Sequence, residues 1–266
     1  MSPLYRFLQR IYQSRSLILE MAILEVRKRY VGTFAGFMWT IINPLMIILV
    51  FWFVFSVGFK VQPVGGVGFT VIFFCGFIPW TTFSETLLAN TSSITGNPHL
   101  VKKMVFPTEI LPLVNLVAGC ISHIAMLLVL AVVLVSQHIS FSIFNLQFLY
   151  YFFGMVILSL GLGWLCAAIN VFFRDVGQIV GVLLNMWFWL TPIVWVAEMI
   201  PKKYHYVLKL NPMYYIVDGY KSSFVYHEPI WRQPLWSAYF WSFAFLSFLI
   251  GGYIFKKVKS DFADVL

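Results

Sequence analysis

Charge is what this chain has least of. Charged residues occupy 11% of its 266 positions, against the ~25% usual in soluble domains. Another 61% are hydrophobic and 19% of the total are aromatic. That composition excludes the common soluble folds. Nucleotide chemistry is missing too: no G-x-x-x-x-G-K-[ST] loop occurs, so the chain has no glycine-rich cradle of its own for phosphates. Nor is there an H-E-x-x-H helix or a G-x-S-x-G elbow, which sets aside the zinc and serine hydrolase signatures. Cysteine is scarce. Cys75, Cys120 and Cys166 fall in apolar runs without metal or redox spacing and read as small buried hydrophobes. No catalytic residue, metal site or resident cofactor is expected. The acidic residues are scattered, with no intramembrane charge chain of the kind that proton- or sodium-coupled carriers use.

What the chain does have is long stretches without charge. A central Lys, Arg or Asp costs ~2.5–3.5 kcal/mol on insertion scales, so uncharged runs locate the spans. They extend over Tyr30 to Phe59, Val61 to Ser84, Ile110 to Phe173, Val176 to Ala197 and Gln233 to Phe255. The third run is long enough for two crossings at ~20 residues each and divides at a polar turn around Ser136 to Gln147. The reading is an all-α integral membrane protein with six transmembrane helices at 34–59, 67–88, 110–135, 148–172, 176–197 and 235–255. Residues 1–33 are expected as an amphipathic interfacial segment and 92–109 as a coupling loop. Residues 198–234 are expected as a re-entrant segment and 256–266 as a tail. Basic residues cluster before the first span, in the Lys102-Lys103 loop and at Lys256, Lys257 and Lys259. Short loops dominate the positive-inside rule, so both termini are expected in the cytoplasm.

Within the polar island Ser92 to Pro112, Asn97-Pro98 punctuates the start of an amphipathic turn or two. Leu100, Val101, Met104 and Val105 recur there at helical spacing. A helix that takes a push from a soluble partner and a plain loop touching headgroups both fit this segment taken alone. In 14–29, Leu17, Met21 and Leu24 are expected on one face, with Ile18 and Ala22 beside them. Glu20, Glu25, Arg27 and Lys28 stand opposite, as in a helix lying in the headgroup plane. Such a helix is a membrane anchor or a cradle for a partner. His123, alone in an apolar span, is expected to hydrogen-bond a neighbouring helix. Aromatic residues crowd the segment after Thr191-Pro192. They fit an interfacial belt, and equally a surface for the flat faces of sugar rings.

In combination these motifs are specific. RKRYVGTFAGFMWTIINPL, FIPWTTFSETL, NPHLVKKMVFPTEILP, FFRDV, LTPIVW and LNPMYYIVDGYK follow one another over roughly residues 17–225. The chain resembles the permease subunits of ABC-type polysaccharide exporters, the family that exports O-antigen, capsule and teichoic acid, and is most similar to the O-antigen permeases. The resemblance implies a homodimeric channel in the bacterial inner membrane, with two cytoplasmic ATPase subunits that bind ATP and Mg, and a glycan carried on undecaprenyl diphosphate. It implies an ATPase-coupling helix over Asn97, Pro98, His99, Leu100, Val101, Lys102, Lys103, Met104, Val105 and Phe106. Arg27, Lys28 and Arg29 would attract the lipid diphosphate, and Tyr204, Tyr214, Tyr215 and Tyr220 would belong to a periplasmic gate. Trp39, Phe51, Trp52, Trp187, Trp189 and Trp195 would offer sliding contacts to a moving glycan between spans one and five. Two alternatives stay open: an ABC-type permease for a lipid or drug, and a membrane-embedded glycan or acyl transferase.

Overall fold

A computed structural model describes residues 9, 11–29, 32–60, 67–102 and 106–266, apart from the side chains at 37, 40 and 198. Among the described residues every regular element is helical. Helix α1 is Arg15–Lys28 and α2 is Trp39–Trp52, which runs into a wider turn over Phe53–Gly58. Helix α3 is Phe69–Thr91, α4 the single turn Pro98–Val101, α5 Leu111–Ser136 and α6 Phe148–Phe172. Then come α7 Val176–Leu190, α8 His205–Lys209, α9 Pro212–Lys221, α10 Pro234–Val258 and α11 Phe262–Val265. Proline opens several of them: Pro98, Pro112, Pro212 and Pro234 stand in first turns, where the missing N–H costs nothing and φ is already helical.

Among the described residues, five stretches are long and apolar enough to cross a membrane: Ile41–Gly58, Phe69–Thr91, Thr108–Ser136, Ile143–Phe172 and Pro234–Val265. The apolar helix α7 has 15 residues, or ~22 Å at 1.5 Å per residue, against a hydrocarbon core of ~30 Å. It stops where the sequence demands. Pro192 disfavours helical backbone in the residue before it, and Thr191 is extended at φ −99°, ψ 130°.

Helix α3 is the buried axis. It packs against α5, α6, α7 and α9, and α2 lies along α3 and α5. Around it Phe73, Phe74, Phe83, Met155, Leu158 and Val217 form the main core. Helices α2 and α7 each turn a broad apolar surface outward, with Leu49, Val50, Ile179 and Leu183 exposed. Helices α6 and α10 cross in intimate contact, because a Cβ on Gly251 would run into the Gly161 carbonyl and one on Gly161 into the backbone of Phe248. Glycine at both positions lets the two backbones touch.

On α1 the packed stripe differs from the expected one. Ile18, Ala22 and Val26 are buried against Ile110, Val114 and Ala118, while Leu17 and Leu24 are exposed. The helix is apolar on two faces. Small Ala22 and Ala118 allow its close approach to α5, and that leaves the leucines exposed.

Candidate functional site

Two regions carry polar side chains in organised contact. The first is the loop from Ser92 to Ile110, slung between α3 and α5. Its described helix, α4, spans Pro98–Val101, and Lys103, Met104 and Val105 lie outside the described residues. Asn97 precedes it and donates to the Ser93 carbonyl at 2.9 Å. Val101 points inward and is buried with Ile94, Leu111 and Trp164. His99 and Lys102, three residues apart, are exposed on the outer side of that turn, while Leu100 and Phe106 are half-buried. Between this loop and α1 opens a cleft of about 290 Å³ lined by Met21, Leu24, Glu25, Lys28, His99 and Leu100, among others.

The loop is fastened at both ends by residues that the sequence did not single out. At its entry Asn170 of α6 donates to Thr95 Oγ1 at 3.3 Å and accepts from the Gly177 N–H at 3.1 Å. At its exit Glu109, buried, receives the Lys259 ammonium at 3.0 and 3.2 Å on its two oxygens. The Trp164 indole N–H donates to the Glu109 carbonyl at 3.2 Å. No short-range pattern links positions 109 and 259, so only the fold could reveal the pair.

The basic residues at the end of α1 are less free than their charges suggest. Arg29 stands 3.6 Å from Glu85 on α3, and Lys28 stands 3.5 Å from Glu25. Arg27 is exposed.

The second region is the break after α7 and the elements folded over it. Thr191 Oγ1 donates to the Trp187 carbonyl at 2.8 Å, and Asn211 Nδ2 donates to Thr191 Oγ1 at 2.9 Å. Asn211 Oδ1 accepts both the Trp187 indole N–H at 2.7 Å and the Met213 N–H at 2.9 Å, so it caps α9 while tying it to α7. Buried Lys221 donates to the Pro192 carbonyl at 2.6 Å. The freed backbone at the break is thus satisfied from α9, as a buried non-helical segment requires. LTP and LNP stand about twenty residues apart in sequence and form one joint.

Helix α9 is also pinned to the interior. His123 Nδ1 lies 2.8 Å from Thr82 Oγ1, and His123 Nε2 lies 2.9 Å from the Tyr220 hydroxyl. Thr82 already donates to the Ile78 carbonyl, so Nδ1 carries the proton and Nε2 accepts from Tyr220. His123 thus bonds two neighbouring elements, as a lone histidine in an apolar span should. Tyr220 is fully buried, whereas Tyr214 and Tyr215 are half-buried and Tyr204 is exposed. Tyr215 donates to Ser237 at 2.9 Å, beside the Tyr150 hydroxyl. Among the aromatic residues of spans one and five, Trp52 and Trp189 are exposed, and Trp39, Phe51, Trp187 and Trp195 are half-buried. Trp187 meets Trp80 and Phe83 edge-on, and Phe51 packs on Phe73.

The profile of the ABC-2 type transporter family matches residues 17–225, which take in both regions. The chain belongs to that family. This ABC-2 protein is 31% identical over 229 residues to the O-antigen export system permease protein RfbA of Myxococcus xanthus, covering 84% of this chain and 85% of that one. It is 25% identical over 245 residues to the Klebsiella pneumoniae protein of the same name, covering 91% and 92%. It is 23% identical over 197 residues to the polysialic acid transport protein KpsM of Escherichia coli, covering 73% and 75%. These relatives are permeases and transport proteins by name, and like them the chain is a membrane-spanning member of the family.

Proposed function

We propose that this chain is the membrane channel of an ATP-driven exporter that moves an undecaprenyl-diphosphate-linked polysaccharide of the O-antigen class from cytoplasm to periplasm. The observation that carries this reading is similarity along nearly the whole chain to O-antigen export permeases. ATP and Mg would be bound by two copies of a cytoplasmic ATPase, since the sequence has no phosphate-binding loop.

On this reading α7 with the extended turn after Thr191 makes the fifth of six crossings, and both termini face the cytoplasm. The outward side of α4, with His99 and Lys102, docks into the ATPase. The cleft between α4 and α1 gives that partner a second wall. Two protomers meet so that α2 and α7, each with a broad exposed apolar face, bound the channel, and Trp52 and Trp189 supply ring surfaces to the passing sugars. Arg27 and Lys28 draw the diphosphate to the inner surface, and Arg29 does so in competition with Glu85. Tyr204, Tyr214 and Tyr215 stand at the outer mouth, and Tyr220 holds α9 to the spans from within.

The test is co-purification in detergent with an ABC-type ATPase subunit from the same organism, comparing wild type with His99→Glu/Lys102→Glu. Wild type should bring the ATPase with it at one copy per protomer, and the variant should lose it. A wild-type chain that binds no ATPase would refute the exporter reading and favour a membrane-embedded transferase.

A further inference from the structure

Residues Lys259 to Leu266 follow the last long helix and would ordinarily pass for a solvated appendage. The structure gives them another part. Phe262 is fully buried, its ring 5.3 Å from Phe255 and 6.3 Å from Phe172. Helix α11 lies against both α4 and α6. Phe262 and Val101 belong to one apolar cluster with Trp164 and Leu111, so α4 and α11 share a core. Beside that cluster the Lys259 ammonium grips both oxygens of buried Glu109. A buried carboxylate held this way has no solvated alternative close by, so the joint resists separation far more than a surface pair would.

The other side of the joint is equally firm. Helices α6 and α10 touch backbone to backbone at Gly161 and Gly251, and the Trp164 indole reaches from α6 to the Glu109 carbonyl while its ring meets Phe248 of α10 edge-on. The loop therefore hangs from one body made of α6 and α10. Toward α1 the loop borders an open cleft at His99 and Leu100, while at its exit Phe106 and Ile110 pack on that helix.

We propose that Lys259–Leu266 is a clamp that carries movement of α4 into the paired helices α6 and α10, with Glu109 and Lys259 as positioning residues and Phe262 as the apolar pin. It rests on the reading above for the source of the push, a partner ATPase, but the clamp itself is a property of this chain. Displacing α4 without displacing α10 would strip Glu109 of a cation and open an aromatic core. Motion is thus channelled toward the α6–α10 body and not dissipated in the loop.

The experiment has two arms. In the first, amide hydrogen exchange is followed on the purified chain alone. Lys259→Ala and Phe262→Ala should each raise exchange at residues 100–102 by about tenfold or more, with α2 and α9 unchanged. Exchange that stays at the wild-type level would overturn the proposal, whatever the partner proves to be. In the second arm, with the ATPase present, Lys259→Ala should keep bound ATPase and ATP hydrolysis while glycan exported per ATP falls by about tenfold. The exchanged pair Glu109→Lys/Lys259→Glu should recover most of that loss, because it re-forms the ion pair. Loss of ATPase binding in step with export would instead make this segment a docking surface and refute the clamp. A wild-type chain that neither binds ATPase nor exports glycan contradicts the exporter reading, and the exchange arm still decides the clamp.

Discussion

Replacing Asn211 by alanine should loosen the joint between α7 and α9 by a calculable amount. The side chain makes three hydrogen bonds: it accepts from Trp187 Nε1 and from the Met213 N–H, and donates to Thr191 Oγ1. Alanine removes an N-cap, which costs about 1 kcal/mol, and strands the Trp187 indole N–H in a half-buried setting, which costs about another 1–2 kcal/mol. Thr191 loses least, because its hydroxyl still donates to the Trp187 carbonyl. A total of about 2–3 kcal/mol lowers the melting temperature by about 4–12 °C in a protein of this size. The assay is thermal unfolding of the detergent-purified protein, followed by intrinsic tryptophan fluorescence. Asn211→Ser restores an acceptor for Met213 but is too short to reach Trp187, so it should fall between wild type and alanine. Trp187→Phe combined with Asn211→Ala should cost less than the two changes added, since the stranded donor is then gone. Strict additivity, or an alanine variant that melts with the wild type, would show that the three contacts do not hold α9 to the break.

The same physical chemistry sets other outcomes. His123→Leu leaves the Tyr220 hydroxyl without its acceptor and should cost about 1–2 kcal/mol, most of which Tyr220→Phe in the same chain recovers; a double variant no better than His123→Leu would argue against the pairing. Gly251→Ala should destabilise by about 1–3 kcal/mol, because its Cβ meets the Gly161 backbone, which cannot rotate aside; normal melting would disprove the close crossing. Cys75 is fully buried whereas Cys120 and Cys166 are half-buried, so a maleimide added to the folded protein should spare Cys75 and reach it only after unfolding, as mass spectrometry of tryptic peptides would report.

Much of the architecture could be read without coordinates because the bilayer imposes simple rules. Uncharged runs located the long helices to within a few residues, as at Phe148–Phe172, and proline marked both helix starts and the break at Thr191-Pro192. Less legible was anything decided by which of two apolar faces meets protein. On α1 the leucines dominate hydropathy, yet the stripe that packs is Ile18, Ala22 and Val26, chosen by small residues on the facing helix. Within the segment 97–106, helical spacing is matched by a helical turn at Pro98–Val101, and residues 103–105 lie outside the described residues. Joints made across long separations left no local trace at all. Glu109 and Lys259, or Asn170 and Thr95, are ordinary residues until the helices assemble, and tyrosines alike in sequence divide into buried Tyr220 and exposed Tyr204 only by packing.

The central claim is tested most directly by reconstituting the chain with its partner ATPase in sealed vesicles and supplying an undecaprenyl-diphosphate-linked glycan together with ATP and Mg on the ATPase side. A lectin or periodate label applied from the opposite side then reports arrival. The account predicts ATP-dependent appearance of the glycan there, abolished by His99→Glu/Lys102→Glu. ATP hydrolysis that moves phospholipid but no glycan would contradict it.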